Sequence, residues 1–177
     1  MVNDKNVDIV YIGNVHSFRR ETVEKCLMAN KNVLVEKPFA CSVADGEYLM
    51  GLAKERNLFI MEGMWTRFFP AVQKAREIAF GTDSDAGILG DVSQVLSDFN
   101  FYAPDHEEYP SSFVYQRQLG GGSALLVAPY PLAAATLFFK NPPDSAKVVG
   151  QMDEATGVDL QGAMAVSYTH LTLPTKA

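Results

Sequence analysis

The sequence predicts an α/β fold in which the C-terminal half of a doubly wound parallel sheet is followed by part of an α+β domain. In the first third of the chain, short aliphatic segments of strand length alternate with amphipathic segments of helical period. This order implies βαβ units and a parallel sheet. After residue 90 the pattern changes to the period-two alternation that is typical of strands exposed on one side. The boundary between the two parts is predicted near Met64, which gives segments 1–63 and 64–165.

The first part contains three predicted strands, at residues 7–12, 32–35 and 58–61. Residues 20–30 predict a helix, because Val23, Cys26 and Leu27 are spaced to share one apolar face. Ser42 is the predicted N-cap of a second helix, with Asp45 three residues further on. The unbroken Val-Leu-Val run of the middle strand predicts burial on both faces of the sheet.

The second part begins with a helix that proline and glycine delimit, from Pro70 to Gly81. Residues 91–103 alternate as a strand exposed on one side, and residues 147–152 and 161–166 predict two further strands. Residues 124–139 are almost wholly apolar. A membrane span needs about 20 such residues, and Pro129 and Pro131 interrupt this run, so the sequence favours a buried core helix.

The composition restricts the class of partner. The 177 residues carry a formal net charge of −6 and no long basic run, which argues against nucleic acid or an anionic membrane surface. Cys26 and Cys41 are too few for a disulfide framework, and Cys26 is predicted to be a core residue. The low cysteine count predicts a reducing environment, and the polar N-terminus shows no signal sequence, so a cytoplasmic location is predicted. His106 lies among acidic residues, but a solvated acidic loop needs no metal, so no metal site is predicted.

Both ends of the chain predict a fragment. Residues 7–13 already form a strand of the kind found in the middle of a parallel sheet, so the first units of that sheet are expected to be missing. The string from residue 166 to 175, VSYTHLTLPT, resembles a translated sequencing-library adapter, and residues 166–177 are predicted to be a non-native tail. The alternative is that residues 167–173 form an ordinary strand.

Lys37 has an unusual position, directly after a buried strand and before Pro38. Lysine is rarely buried without a partner, and ligands of open α/β sheets bind outside the carboxyl ends of the strands. Three segments leave strands at that edge, namely residues 12–16, 36–38 and 62–65. Lys37 is therefore predicted to point at a ligand, and the alternative is a surface pair with Glu36.

Two motifs at this edge resemble a known family. Residues 36–38, EKP, and residues 61–70, MEGMWTRFFP, resemble the glucose–fructose oxidoreductase and inositol dehydrogenase (Gfo/Idh/MocA) family. They look like its branch of dimeric dihydrodiol dehydrogenases and NADP-dependent D-xylose dehydrogenases. The segments YIGNVHS at 11–17 and TGVD at 156–159 also fit, so the resemblance covers residues 7–165.

The resemblance implies a Rossmann-type domain, a C-terminal domain with an open, mainly antiparallel sheet, and a homodimer in the full-length protein. It implies NADP, or NAD, as cofactor and a small alcohol, sugar or trans-dihydrodiol as substrate. Lys37, in EKP, and Tyr130, in GGGSALLVAPYPL, fall at the positions of the family's catalytic pair. A phenol ionises only near pH 10 in water, so a base of this kind needs a nearby cation such as Lys37. The implied cofactor residues are Gly13, Asn14, His16 and Lys37, and Glu36 either contacts the cofactor or steadies the strand end. The implied substrate residue is Trp65, and Arg67 is a candidate for binding an anionic group of the substrate.

Each of these assignments has a structural alternative. Tyr130 and Trp65 could be core or interdomain aromatic residues, His16 a hydrogen-bonded loop histidine, and Arg67 a partner of surface acids.

The sequence departs from the family pattern in three ways. Leu126 stands where the family carries an aspartate one helical turn before the tyrosine, and Ala128 replaces a glycine. The glycine-rich phosphate-binding turn is absent from this chain, and Gly120–Gly122 cannot replace it, since no βαβ unit surrounds them. Two functions therefore stay open, a hydride-transferring oxidoreductase and a non-catalytic binding or scaffold protein on the same fold.

Overall fold

A computed structural model describes residues 1–82, 87–89, 92–100, 109–139 and 142–168. The first part alternates strands and helices as predicted, and its strands β1, β2 and β3 form a parallel sheet in that order. Its elements are β1 (Ile9–Ile12), α1 (Arg19–Met28), β2 (Asn32–Glu36), α2 (Val43–Glu55), β3 (Ile60–Gly63) and α3 (Pro70–Phe80).

The helix boundaries follow local signals. The Ser42 side chain accepts a hydrogen bond from the Asp45 amide, which is the predicted N-cap of α2. Pro70 occupies the first turn of α3, where its missing N–H is not needed, and Gly81 ends the helix with φ of 81°. The predicted start of α2 and both predicted ends of α3 are therefore confirmed.

One face of the parallel sheet carries the core. A chain that winds in one direction through β1, β2 and β3 places both crossover helices on the same face. On this face alternate strand residues pack against α1 and α2, and Cys26 lies among them as predicted. The buried members are Val10, Ile12, Val23, Cys26, Leu27, Val33, Val35, Leu49 and Ala53.

The prediction that β2 is buried on both faces is wrong. Val33 and Val35 are buried, but Leu34 between them is only half-buried. On the neighbouring β1, Tyr11 is 60% exposed on the same open face. The physical reason is that apolar residues in a strand do not show whether a helix packs against both faces of the sheet. No described helix lies over the second face.

The second part contains α4 (Ser123–Leu126), α5 (Pro129–Phe138), β4 (Ser145–Met152) and β5 (Asp159–Ser167). β4 and β5 form an antiparallel pair, which confirms the two strands predicted there. Val166 and Ser167, which begin the predicted tail, pair with Ala146 and Ser145. Residues 169–177 lie outside the described residues.

Two predictions for this part are wrong. Residues 92–100 of the predicted strand 91–103 have no regular secondary structure, and in the described residues no strand lies beside them to complete a ladder. The predicted core helix 124–139 is divided, because α4 ends at Leu126 and Pro129 begins a new helix. Of the residues in α4 and α5, Ala133 alone is buried.

The apolar stretch Arg117–Phe138 is long and apolar enough to cross a membrane by length and composition. Its backbone is not one helix, however, since Gly120 adopts a left-handed conformation and α5 has 10 residues. Ten helical residues span about 15 Å, which is about half of a bilayer core. The absence of a membrane partner stays a prediction.

Candidate active site

Lys37 reaches from the end of β2 to the second part of the chain. It follows Glu36 directly, and its peptide bond to Pro38 is cis. The Lys37 ammonium donates a hydrogen bond of 2.9 Å to the carbonyl oxygen of Leu126. It also lies 4.5 Å from the centre of the Tyr130 ring, a distance at which a cation is attracted to the ring face. The amine at the strand end thus has partners from α4 and α5 and is not a surface partner of the Glu36 carboxylate.

Aromatic side chains surround Tyr130, the second residue of α5. The Trp65 indole donates a hydrogen bond of 3.1 Å to the Tyr130 hydroxyl. The Phe99 ring is stacked on the Tyr130 ring at 5.1 Å between centroids. Among the described residues, the Tyr130 hydroxyl is bonded by Trp65, whereas Lys37 contacts the ring. The structure brings the predicted pair together, and its catalytic role stays a prediction.

The two predicted substrate residues occupy different places. Trp65 is 50% exposed and lies beside Tyr130. Arg67, two residues later in the same short helix, donates to the Thr136 hydroxyl on α5. It lines a separate cavity of about 360 Å³ together with Glu62, Met64, Pro129, Leu132, Ala133 and Thr136. The described partner of Arg67 is therefore a hydroxyl and not a surface acid.

The predicted cofactor residues Gly13 and Asn14 follow β1. A Cβ at Gly13 would lie 3.1 Å from the Tyr11 ring, which would have to shift by a few tenths of an ångström. The Asn14 side-chain amide donates to the Thr22 hydroxyl at 2.9 Å, and its buried Oδ1 has no partner among the described residues. Gly13 and Asn14 both line a cavity of about 320 Å³ beside β1.

The Glu36 carboxylate is held at the same edge. It accepts a hydrogen bond of 2.8 Å from the Tyr11 hydroxyl and one of 3.1 Å from the Lys37 amide. The hydrogen bond to Glu36 raises the pKa of Tyr11. Glu36 thus fixes the backbone that carries Lys37.

His16 joins the loop after β1 to the second part of the chain. It is 3% exposed, and its Nε2 lies 2.6 Å from the Gly120 carbonyl oxygen. A carbonyl only accepts, so Nε2 carries the proton and donates. Burial lowers the pKa of His16, the charges of Arg19 and Lys37 lower it further, and the bond to Gly120 opposes them. The structure shows a hydrogen-bonded loop histidine, and a contact with the cofactor stays a prediction.

The lowered pKa of His16 predicts a loss of stability in acid. Between the lowered folded pKa and the unfolded value of about 6.5, the unfolded chain binds a proton that the folded chain does not. The free energy of unfolding therefore falls as the pH drops below about 6.5. Urea unfolding at a series of pH values measures it. His16→Gln retains an N–H donor without a titrating ring, so its stability is expected to vary less between neutral pH and about pH 5. An equal pH dependence in both proteins would contradict the prediction.

The three glycines before α4 each meet a close neighbour. Gly120 has φ of 76°, and a Cβ there would overlap Nε2 of His16 and lie 2.6 Å from its Cδ2. A Cβ at Gly121 would lie 2.6 Å from the Val114 carbonyl oxygen. Gly122 has φ of 114°, and its Cβ would overlap the Asp159 carboxylate. The triplet therefore lets the loop before α4 pack closely against His16, Val114 and Asp159.

Sequence reasoning missed three residues that build the site. Arg19 is 5% exposed and donates to three backbone carbonyl groups near Lys37. Asp159 accepts hydrogen bonds from the Ser123 hydroxyl and the Ala124 amide, which fixes the first turn of α4. Glu62 accepts a hydrogen bond from the Phe39 amide. Two of these residues could have been found from the sequence, since Asp159 is the last residue of the TGVD motif and Glu62 lies at the end of β3. No sequence pattern distinguishes Arg19 from Arg20.

The parallel sheet, its carboxyl edge and the antiparallel pair define a two-part α/β protein of the dinucleotide-binding type. Residues 1–64 match the sequence profile of the oxidoreductase family with the NAD-binding Rossmann fold, and residues 73–173 match that of the GFO/IDH/MocA C-terminal domain. The chain belongs to the Gfo/Idh/MocA family of oxidoreductases. The family resemblance and the fold class predicted from the sequence are thus confirmed.

Individual relatives include both kinds of enzyme that the motifs indicated. The chain is 31% identical over 170 residues to trans-1,2-dihydrobenzene-1,2-diol dehydrogenase of Xenopus tropicalis, covering 96% of this chain and 48% of that protein. It is 32% identical over 179 residues to D-xylose 1-dehydrogenase (NADP(+)) of Hypocrea jecorina, covering 95% and 44%. The chain spans about half the length of the curated relatives it matches.

Solved structures share the fold. Aldose-aldose oxidoreductase from Caulobacter crescentus, solved with glycerol, superposes with a TM-score of 0.71 at 25% identity. The match covers 93% of this chain and 48% of that chain.

Proposed function

We propose that the protein carrying this sequence is an NADP-dependent dehydrogenase that oxidises a CH–OH group of a sugar or a trans-dihydrodiol. One observation carries the proposal: the Lys37 ammonium lies against the Tyr130 ring at the carboxyl edge of a Rossmann-type sheet, with Trp65 bonded to the Tyr130 hydroxyl. The names of the two relatives, a dihydrodiol dehydrogenase and an NADP-dependent xylose dehydrogenase, supply the substrate class.

The chemistry requires a hydride acceptor and a proton acceptor. NADP supplies the first when it is bound. The Tyr130 oxygen takes the proton that leaves the substrate hydroxyl. The Lys37 ammonium lies over the Tyr130 ring and the Trp65 N–H donates to the Tyr130 oxygen, so both favour negative charge that develops there. The substrate hydroxyl would bind beside the Lys37 ammonium and the Tyr130 hydroxyl.

The cofactor residues fit the nicotinamide end of such a molecule. Asn14 Oδ1 is an acceptor without a partner among the described residues, and the carboxamide of nicotinamide offers N–H donors. We assign Gly13, Asn14, His16, Glu36 and Lys37 to this region, as the family implies. The exposed faces of β4 and β5 support the further proposal of a homodimer.

The alternative is a binding or scaffold protein without turnover. The observation in its favour is the partner of Lys37, which is the neutral carbonyl group of Leu126 at the position where the family carries an aspartate. The two functions share a fold and differ in whether hydride is transferred.

Steady-state assays with NADP⁺ or NAD⁺ and either D-xylose or trans-1,2-dihydrobenzene-1,2-diol test the proposal. Saturable formation of reduced cofactor is expected with at least one substrate. Tyr130→Phe is expected to lower kcat by roughly 10²–10⁴-fold, the range of general acid–base catalysis. Tyr48→Phe is the matched control, because Tyr48 is a surface residue of α2 whose hydroxyl donates to the Glu24 carboxylate of α1. Binding of NADP without turnover would favour the scaffold protein, and absence of both would contradict the two functions together.

A further inference from the structure

Arg19 is the most deeply buried cation among the described residues and has no assigned function. It is the first residue of α1 and is 5% exposed. Its Nε donates to the Asn14 carbonyl at 3.0 Å, and its Nη1 donates to the carbonyls of Glu36 at 2.7 Å and Pro38 at 2.5 Å. All three acceptors are neutral backbone groups.

Two of these acceptors flank Lys37. The carbonyl groups of Glu36 and Pro38 belong to the residues before and after it, so one nitrogen of Arg19 holds the backbone on both sides. Arginine suits this position, since its planar fork keeps several donors in fixed directions and stays charged when buried. A lysine ammonium could not replace this geometry from the same helix position.

We propose that Arg19 is a positioning residue that sets the place of the Lys37 ammonium. This inference rests on the proposed function only for its effect on catalysis. By fixing the backbone at Glu36 and Pro38, Arg19 fixes the starting point of a side chain that must reach the Leu126 carbonyl and the Tyr130 ring at once. A displacement of that backbone would move the ammonium away from the Leu126 carbonyl and the Tyr130 ring. The side chain has to reach both contacts at once, so it cannot compensate fully for the displacement.

Chemical modification of lysines tests the proposal without any assay of activity. The protein carrying this sequence is treated with limiting acetic anhydride over a range of pH, and peptide mass spectrometry gives the rate at each lysine. In Arg19→Lys we expect the rate at Lys37 to rise about tenfold, as its bond to a carbonyl is lost. Lys54, exposed on α2, is the internal reference and is expected to keep its rate and pH profile.

Arg20→Lys is the matched variant. Arg20 is the next residue of the same helix, but it pairs with Asp45 at the surface, with a side chain 49% exposed. It is expected to leave the rate at Lys37 unchanged. For turnover, Arg19→Lys is expected to lower kcat about 10²-fold, as misplacement of a catalytic group does, with KM for the alcohol nearly constant. Arg20→Lys is expected to keep both constants.

The outcomes separate the two claims. Faster modification of Lys37 alone supports the positioning role, even if no alcohol is oxidised and the proposed function fails. Equal acceleration at Lys37 and at Lys31, whose ammonium bonds the Asp4 and Val7 carbonyls, would show a general loss of fold and overturn it. An unchanged rate at Lys37, or full kcat in Arg19→Lys, would also overturn it.

Discussion

Replacement of Lys37 by methionine is expected to lower kcat/KM for alcohol oxidation by roughly 10³-fold, because the site loses the positive charge beside Tyr130. Methionine has a similar length and no charge. The substitution removes the attraction between the ammonium and the Tyr130 ring, and it removes the hydrogen bond to the Leu126 carbonyl. Because Leu126 is only half-buried, water can replace that bond, and the free energy of unfolding is expected to change by about 1 kcal/mol or less.

Steady-state kinetics of NADPH formation measures the loss, and chemical denaturation measures the stability. Lys54→Met is the control, since this lysine is exposed on α2 far from the site. It is expected to retain the parent kcat/KM. Unchanged turnover in Lys37→Met would remove Lys37 from the mechanism, whatever the role of Tyr130.

The local parts of the fold were predictable because local signals determine them. Ser42 and Asp45 define the start of α2 through one side-chain hydrogen bond, and Pro70 and Gly81 delimit α3 through backbone conformations that only these residues favour. The strands of the first part follow from short aliphatic runs. Such signals act over a few residues, so a single sequence is sufficient to detect them.

Coverage of the elements was not predictable in the same way. The apolar run at 124–139 predicted a core helix, but burial depends on what packs against a helix, and α5 is mostly half-buried or exposed. The alternation at 91–103 predicted a strand, but a strand exists only beside a partner. The sequence pattern of a segment therefore does not show which other elements pack against it.

The candidate site shows the same limit more sharply. The family motifs placed Lys37 and Tyr130 in one site, but not the amine on the ring face. The bonds that fix this arrangement join residues 89 and 104 positions apart, Lys37 to Leu126 and His16 to Gly120. Arg19 acts on backbone carbonyls, which every residue type offers, so no pattern of side chains announces it.

Gly120→Ala is expected to cause the largest loss of stability, about 3 kcal/mol or more, from three effects. A residue with a Cβ is strained at φ of 76°, which costs about 1 kcal/mol. The new Cβ would overlap the buried His16 ring, which is close-packed and cannot give way freely. Displacing that ring breaks the Nε2–H bond to the Gly120 carbonyl and leaves buried polar groups without partners. Thermal and urea unfolding measure the total.

Three further variants separate these effects. Gly157→Ala has the same backbone strain, at φ of 69°, with no atom within 4 Å of the new Cβ, so it is expected to cost about 1 kcal/mol. Gly51→Ala lies inside α2 in open space and is expected to stabilise the protein by about 0.5–1 kcal/mol. In a His16→Ala background, Gly120→Ala is expected to cost no more than Gly157→Ala, because the ring that it would overlap is gone. If Gly120→Ala still costs about 3 kcal/mol in the His16→Ala background, the contact with His16 is not the reason that position 120 requires glycine.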